Sequence, residues 1–171
     1  MDSRDASRYF LKPGDYKVEL PRTFLESYPQ YAVKGIGMHL AVLIEPYLSR
    51  VFQGIKKFES RFSTNRVAPY DVVKAGDIIF IKKSSSDVLG FFIAGKVEFH
   101  VIDDIKRAKE EWAGKLCIDS DDFWDQKANA RYLTVIEITN LKKTQPIAIS
   151  KKDYSAWVVL TTGNRMKVGT L

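Results

Sequence analysis

The chain has 171 residues, of which 45% are hydrophobic and 28% charged, a composition ordinary for a globular protein with one core. Its single cysteine, Cys117, excludes an internal disulfide, and with only two histidines it argues against a zinc site. No apolar run reaches the roughly 18 residues of a membrane span, and no signal peptide follows Met1, so we expect a cytoplasmic protein without metal or cofactor. The net charge of +6 favours a polyanionic partner.

Residues 1–37 form an N-terminal extension that is rich in aromatic side chains. Pro13-Gly14 and Pro21 interrupt it, so long regular elements are not expected. Its apolar content is nevertheless too high for a free tail. We therefore expect the extension to pack on the main domain, with one helical turn over residues 23–27.

The first regular elements are a strand over residues 38–44 and a short helix over residues 46–53. The continuous apolar run predicts the strand. His39 stands at its start and is interpreted as an ordinary strand residue, because no nearby Ser, Cys or Asp suggests a catalytic triad. Pro46 suits the first helical position, and Gly54 suits the helix end because a left-handed φ costs glycine nothing.

The corner after this helix has the form G-x-K-x-x-E-x-R, with Gly54, Lys56, Glu59 and Arg61 at the fixed positions. Here the apolar period changes from 3.6 to 2, which predicts a strand. Two phenylalanines then face the core, and Glu59 and Arg61 project together from the opposite face. Lys56 lies at the turn, so we expect the three charged side chains to meet in one solvent-accessible cleft.

The rest of the chain predicts one functional loop, further strands and further helices. The polar stretch 63–75 is longer than an ordinary connection, and Arg66 within it is a candidate phosphate contact. Four aspartates in residues 119–125 fail the calcium-loop pattern, since Phe123 occupies a ligand position, and are interpreted as the cap of a helix. The other elements are strands at 78–83, 88–101, 131–139, 145–149 and 156–160, and a helix from Asp103 or Asp104 to about Ala113.

The corner motif resembles that of ASCH domains, which are PUA-like β-barrels. Periodicity alone gives an α+β fold with several strands, and the barrel comes from the resemblance. The chain is then mainly β, or α+β: a small antiparallel barrel of about five to seven strands with two or three flanking helices. Supporting features are Glu45-Pro46-Tyr47, Gly76-Asp77 before a strand, Val88-Leu89-Gly90, and the strand 132–136. The resemblance divides the chain into the extension 1–37, an ASCH domain 38–160 and a tail 161–171.

The resemblance implies a module that binds RNA, another nucleic acid or a nucleotide in the cleft beside the corner. Lys56 and Arg61 supply cationic donors for phosphate, and Arg61 can also stack on a base. Glu59 can accept a hydrogen bond from a base amine or hold Arg61 in position. The other contacts expected are Tyr47, as a stacking aromatic, and Lys57, Arg66, Lys82 and Lys83, as extensions toward the phosphate backbone.

Two alternatives remain open at this point. Some small ASCH proteins are amidohydrolases of N-acylated cytidine, and others are reported as ribonucleases. In the amidohydrolase type a lysine at the Lys56 position is the base, a threonine nucleophile stands where this chain has Glu59, and a glutamate follows. Lys56 and Glu59 would then be catalytic here, with Glu98, Glu110 or Glu111 as the second acid. The other alternative is a protein-recruitment module that docks through its aromatic extension.

Overall fold

Six strands and three α-helices make up the part of the chain that the computed structural model describes, residues 28–31, 35–147 and 155–162. In chain order they are a 3-10 turn Pro29–Tyr31, β1 Gly37–Leu43, α1 Tyr47–Phe52, β2 Phe58–Ser63, β3 Ile78–Lys83, β4 Val88–Val101, α2 Ile105–Leu116, α3 Asp121–Gln126, β5 Tyr132–Ile147 and β6 Trp157–Thr162. The helical turn predicted at 23–27 and nearly all of the predicted tail lie outside the described residues. None of the helices described is long and apolar enough to cross a membrane.

The strands form one sheet in the order β2-β5-β4-β3-β1-β6, and this sheet bends into a half-barrel. The predicted fold class, mainly β or α+β with flanking helices, is confirmed. The sheet is mixed rather than wholly antiparallel, because β1 runs parallel to β3, with Met38 beside Ile78. The connection between these two strands passes through α1 and β2 instead of a hairpin, and parallel neighbours need such a crossover.

β4 and β5 are long strands that bend because glycines interrupt their pairing. Their register shifts between Val88 and Gly90 and again between Ala94 and Val97. A Cβ on Gly90 would collide with the carbonyl oxygen of Lys142 and the ring of Phe52. Only glycine allows this close approach, and the resulting bulges let the sheet curve.

The C-terminal half of the sheet differs from prediction in one respect. Residues 131–139 and 145–149 were expected to form two strands, but β5 continues without a break to Ile147. Asn140 adopts a φ of 47° within it, so the strand absorbs a local irregularity without ending. The pairing with β4, which is itself 14 residues long, accounts for this continuity.

Both faces of the sheet are apolar: the inner face buries Ile79, Phe92 and Ile136, and the opposite face holds a second core. Phe80 and Phe91 are fully buried there together with Leu40 of β1. Tyr28 and Tyr31 pack edge-on against Phe91, at ring-centroid distances of 5.1 and 5.7 Å. These described residues of the N-terminal extension therefore lie against the sheet.

Helices α2 and α3 cover the outer face of β2 and β5. Each begins at a side-chain cap: Asp104 Oδ1 accepts the N–H of Lys106 at 2.8 Å, and Ser120 Oγ accepts that of Phe123 at 3.4 Å. The core on this side buries Trp112, Leu116, Trp124, Leu133 and Val135, with Phe58 and Phe62 packed against it. Both faces of β2 are consequently covered.

Candidate functional site

The corner between α1 and β2 is fixed by backbone hydrogen bonds. The carbonyl oxygen of Arg50 accepts the N–H groups of both Ile55 (2.9 Å) and Lys56 (3.0 Å). Gly54 makes the reversal possible with a φ of 72°, as the sequence predicted for a helix end. Pro46 stands at the N-cap of α1, one position before the first helical residue. The turn directs the Lys56 side chain into the protein.

A cleft of about 250 Å³ opens beside this corner. It brings together the side chains of Tyr47, Lys56, Glu59 and Arg61, four of the residues that the sequence singled out. The rest of its wall comes from the end of β1, from β2 and from the region of α3, and is largely apolar: Val42, Leu43, Ile44, Ser60, Phe62, Ile118, Phe123, Lys127 and Ala156.

Lys56 is buried, with 3% of its surface exposed, and its ammonium is held by the end of a helix. Nζ donates to the carbonyl oxygen of Leu116 at 2.6 Å, at the C-terminus of α2, where the helix leaves carbonyls without intrahelical partners. Nζ also lies 5.7 Å from the centroid of the Tyr47 ring. Burial lowers the pKa of Lys56, and the charge of Glu59 opposes this only in part. No carboxylate of the described chain forms an ion pair with Nζ.

Arg50 serves the same segment from the other side. One of its nitrogens donates to the carbonyl oxygen of Cys117 at 2.7 Å, and the guanidinium pairs with both carboxylate oxygens of Asp119 at 3.0 and 3.1 Å. Cys117 ends α2 in the left-handed conformation. The two cations therefore hold α1 against the end of α2 and set the distance across this side of the cleft.

Glu59 is the acid of the cleft, and only 2% of its surface is exposed. Oε1 lies 2.9 Å from Nε of Arg61, while Oε2 is buried and accepts no hydrogen bond from the part of the chain that the structure describes. The sequence placed Phe58 and Phe62 in the core and Glu59 on the opposite, open face. In the structure the phenylalanines pack under the helices, and Glu59 faces the inside of the curved sheet, because curvature gives β2 a second covered face.

Arg61 holds the wall of the cleft together. Its two terminal nitrogens donate to the carbonyl oxygens of Ala156 and Val42, both at 3.1 Å. Its guanidinium carbon lies 5.4 Å from the centre of the Trp157 ring. The contact of Nε with Glu59 is an ion pair and not an aligned hydrogen bond. The guanidinium is thus occupied by the protein itself, and the acceptor without a partner in the described chain is the buried Oε2 of Glu59.

Lys127 is a cleft residue that sequence reasoning missed. It directly follows α3, is half-buried, and its Nζ lies 5.5 Å from the centroid of the Phe123 ring. Burial lowers its pKa, and the nearby charge of Arg61 lowers it further. Nothing in its sequence context marks it, because it belongs to no motif and α3 reaches the cleft only through tertiary packing.

Four residues proposed as ligand contacts do not line the cleft: Lys57, Arg66, Lys82 and Lys83. Lys57 and Lys83 are exposed, whereas Lys82 is 6% exposed within β3 and is buried too deeply for the surface phosphate contact predicted for it. Arg66 lies over the rings of Tyr70 and Tyr132, at 5.8 and 5.6 Å. Alternation along a strand predicted that Lys82 and Lys83 end β3, but not which of them the sheet covers.

The second acid of a hydrolase is also not in the cleft. Glu98 lies on β4 and pairs with Lys96 at 3.0 Å, and Glu110 and Glu111 are exposed on α2. Of the residues that line the cleft in the described chain, Glu59 is the one acid.

Behind the cleft, His39 links two strands through a buried network. Nε1 of Trp157 donates to Nδ1 of His39 at 3.3 Å, so Nε2 carries the proton and donates to Oδ2 of Asp77 at 3.0 Å. Burial alone would raise the pKa of Asp77. Hydrogen bonds from His39 and from the backbone N–H groups of Lys74 and Gly37 outweigh this effect, so the pKa of Asp77 is lowered. The network fixes Trp157, the residue that faces Arg61.

Comparison with protein-family models gives no match, and comparison with curated proteins gives none either. Among solved structures, an ASCH protein from Zymomonas mobilis superposes with a TM-score of 0.50, at 15% identity over 64% of this chain and 72% of the other. A serine-to-alanine variant of a Zymomonas mobilis ASCH protein gives a TM-score of 0.57, at 13% identity over 77% and 94% of the two chains. A tyrosine-to-phenylalanine variant gives 0.55, at 13% identity over 74% and 92%.

The chain shares its fold with these ASCH proteins. At this level of identity the likeness is one of architecture, and it supports the PUA-like fold expected from the corner motif. Within this fold, Lys56, Glu59 and Arg61 of the corner motif line the cleft described above.

Proposed function

We propose that this chain is an ASCH module that binds RNA, or a ligand containing a nucleotide, by taking one unpaired base into the cleft. The observation that carries the proposal is Glu59, a residue that lines the cleft and whose buried Oε2 has no hydrogen-bond partner in the described chain. A buried acceptor left unpaired costs about 1–3 kcal/mol, and more when it is charged. A ligand that donates an N–H at this point removes that cost.

The chemistry of the cleft favours a flat ring with an exocyclic amine. Carboxylates accept hydrogen bonds from the N4 amine of cytosine, and adenine and guanine also carry amines, whereas uracil has none. Phe62 and Phe123 supply aromatic walls of the kind on which unstacked bases lie. The cleft volume of about 250 Å³ is small and suits the single ring of cytosine.

The charges around the cleft favour a ligand that carries phosphate. Lys56 and Lys127 both line it, and the chain as a whole has a net charge of +6. Neutralising phosphates with such cations releases counterions, so binding should weaken as salt rises. A nucleotide within a single strand fits both the acceptor and the cations.

The test is a fluorescence titration of the full chain with labelled hexamers of cytidine and of uridine at three salt concentrations. We expect the cytidine hexamer to bind about tenfold to a hundredfold more tightly, which corresponds to about 1–3 kcal/mol for one base contact. Glu59→Gln should remove most of this preference, because an amide presents a donor beside the acceptor. Glu110→Gln makes the same change on an exposed face of α2 and should leave the preference intact. Equal affinity of the wild-type protein for both hexamers would contradict the proposed role of Glu59.

A hydrolase is the second candidate, and the lowered pKa of Lys56 is the observation that favours it. Burial lowers the pKa of this amine, which is the direction that favours a general base. Glu59 stands where the amidohydrolase type has its threonine, and no further acid lines the described cleft. We therefore expect no turnover of N4-acetylcytidine by the wild-type protein or by Glu59→Thr, measured as released acetate. Turnover that Lys56→Met abolishes would reverse the order of the two candidates.

A further inference from the structure

A second cavity of about 290 Å³ adjoins the cleft. The two cavities share two lining residues, Phe62 and Lys127. Each volume alone lies below the range of about 300–1,000 Å³ that is usual for small-molecule sites, and the two together fall within it. The two cavities therefore meet at Phe62 and Lys127.

The lining of the second cavity differs in kind from that of the cleft. Apart from Lys127, its polar side chains are uncharged hydroxyls and amides: Ser63, Thr64 and Asn65 at and after the end of β2, and Gln126 and Asn129 around the end of α3. No carboxylate of the described chain lines it. Amides and hydroxyls both donate and accept hydrogen bonds, so they suit sugar hydroxyls and base edges and do not repel an anion.

We propose that the second cavity is the subsite for the neighbouring nucleotide of a single-stranded RNA, and that Lys127 contacts the phosphodiester between the two nucleotides. This inference rests on the proposed function of the cleft. It makes the preferred ligand an oligonucleotide of at least two residues and not a free nucleoside.

The surroundings of Lys127 leave its ammonium free for such a contact. No carboxylate in the described chain lies within ion-pair distance of Nζ, and the contact it does make is with the face of Phe123. The nearest charge with an effect on it is another cation, Arg61. A half-buried amine among such neighbours gains from an anion, and the shared wall of the two cavities is where a phosphodiester would lie.

The experiment is calorimetric titration of the full chain with cytidine, cytidine 3′- and 5′-monophosphate, and the dinucleotide CpC. We expect CpC to bind at least tenfold more tightly than the better mononucleotide. Lys127→Gln should weaken CpC binding about tenfold, the usual effect of losing one hydrogen bond to a charged group, and weaken the binding of cytidine, which carries no phosphate, by a smaller factor. It should also lower the slope of log K against log salt by about 0.7. Lys106→Gln makes the same charge change on the exposed face of α2 and should alter neither.

The second nucleoside is tested separately from the phosphate. Asn65→Ala with Asn129→Ala should weaken CpC and leave both mononucleotides unaffected. If CpC binds no more tightly than a mononucleotide while cytidine hexamers still bind, the subsite is wrong and the cleft proposal stands. The same holds if Lys127→Gln behaves as Lys106→Gln does. If none of these ligands nor either hexamer binds, the proposed function fails and the subsite fails with it.

Discussion

At the scale of single residues, the cleft combines a cation and an acid that do not neutralise each other directly. The ammonium of Lys56 donates to a carbonyl oxygen at the end of α2, and Glu59 forms an ion pair with Arg61 through one oxygen only. The site thus contains one amine of lowered pKa and, in the described chain, one buried carboxylate oxygen without a hydrogen-bond partner, within a small, mostly apolar space. Both are costly to the folded protein, which is typical of residues kept for binding and not for stability.

The lowered pKa of Lys56 predicts a pH dependence of stability. The pKa of Lys56 in the folded state lies below the unfolded value of about 10.4, so folding releases a proton at pH values between the two. The stability of the folded state should therefore rise with pH in that window. The difference in unfolding free energy between the wild-type protein and Lys56→Met should therefore grow as pH increases toward 10. Urea unfolding at pH 7, 8, 9 and 10 measures it. A difference that stays constant over this range would show that Lys56 is protonated equally in both states.

Sequence reasoning found three charged residues of the cleft for a simple physical reason. Spacing along one strand and one turn decides which side chains are neighbours, so Lys56, Glu59 and Arg61 follow from the corner motif alone. Lys127 lies at the end of α3, more than 60 residues after Arg61 in the sequence. No local sequence pattern predicts that it reaches the cleft. For the same reason the sequence did not predict the hydrogen-bond partners of Arg61, which are backbone carbonyl oxygens of distant segments.

At the scale of elements, Asp77 joins the starts of two parallel strands. Lying just before β3, it accepts hydrogen bonds from the N–H of Gly37 at 2.8 Å and from His39 at 3.0 Å, both in β1. A Cβ on Gly37 would lie 2.7 Å from the carboxylate, so the glycine permits the approach. Short helices were easier to predict than this junction, because Asp104 and Ser120 are local caps, whereas Asp77 acts across 40 residues.

The lowered pKa of Asp77 predicts how acid affects the protein. Its contribution is fully present above the unfolded pKa of about 3.9 and is lost as pH falls through the lower folded pKa. We expect Asp77→Asn to cost about 2–3 kcal/mol of stability above pH 5, through weakened hydrogen bonds to a charged group. The gap to the wild-type protein should close below pH 4, as measured by urea unfolding. Asp103→Asn, on an exposed residue before α2, is the matched control and should show no such gap.

At the scale of the molecule, the two edges of the half-barrel approach each other at the cleft. β2 and β6 are the edge strands, and Arg61 of β2 reaches carbonyls on β1 and just before β6. At this seam between the two edges, hydrogen bonds from the Arg61 side chain take the place of backbone pairing between strands. The general architecture followed from the corner motif, but the parallel β1–β3 pair did not, because alternation of apolar residues carries no information on strand direction.

The seam predicts a large effect of one substitution. Arg61→Ala removes both carbonyl contacts and leaves Glu59 as a buried charge, which should cost about 3–5 kcal/mol. Adding Glu59→Gln should recover part of this loss, so the double-mutant cycle should give a coupling of about 0.5–3 kcal/mol. Hydrogen exchange should quicken in β6 more than in β4. Arg107→Ala on α2 is the exposed control, and equal losses for the two arginines would contradict the role of Arg61 at the seam.

The strand order has a consequence for how the protein is made. β1 pairs with β6, where Leu40 stands opposite Val158, and β2 pairs with β5, where Arg61 stands opposite Thr134. Contacts between segments so far apart in the chain form slowly, because the intervening chain must first lose its freedom. During synthesis, the wall of the cleft at Ala156 emerges from the ribosome after all the described elements except β6. A nascent chain of this protein therefore completes the wall of the cleft after the described helices and central strands have emerged.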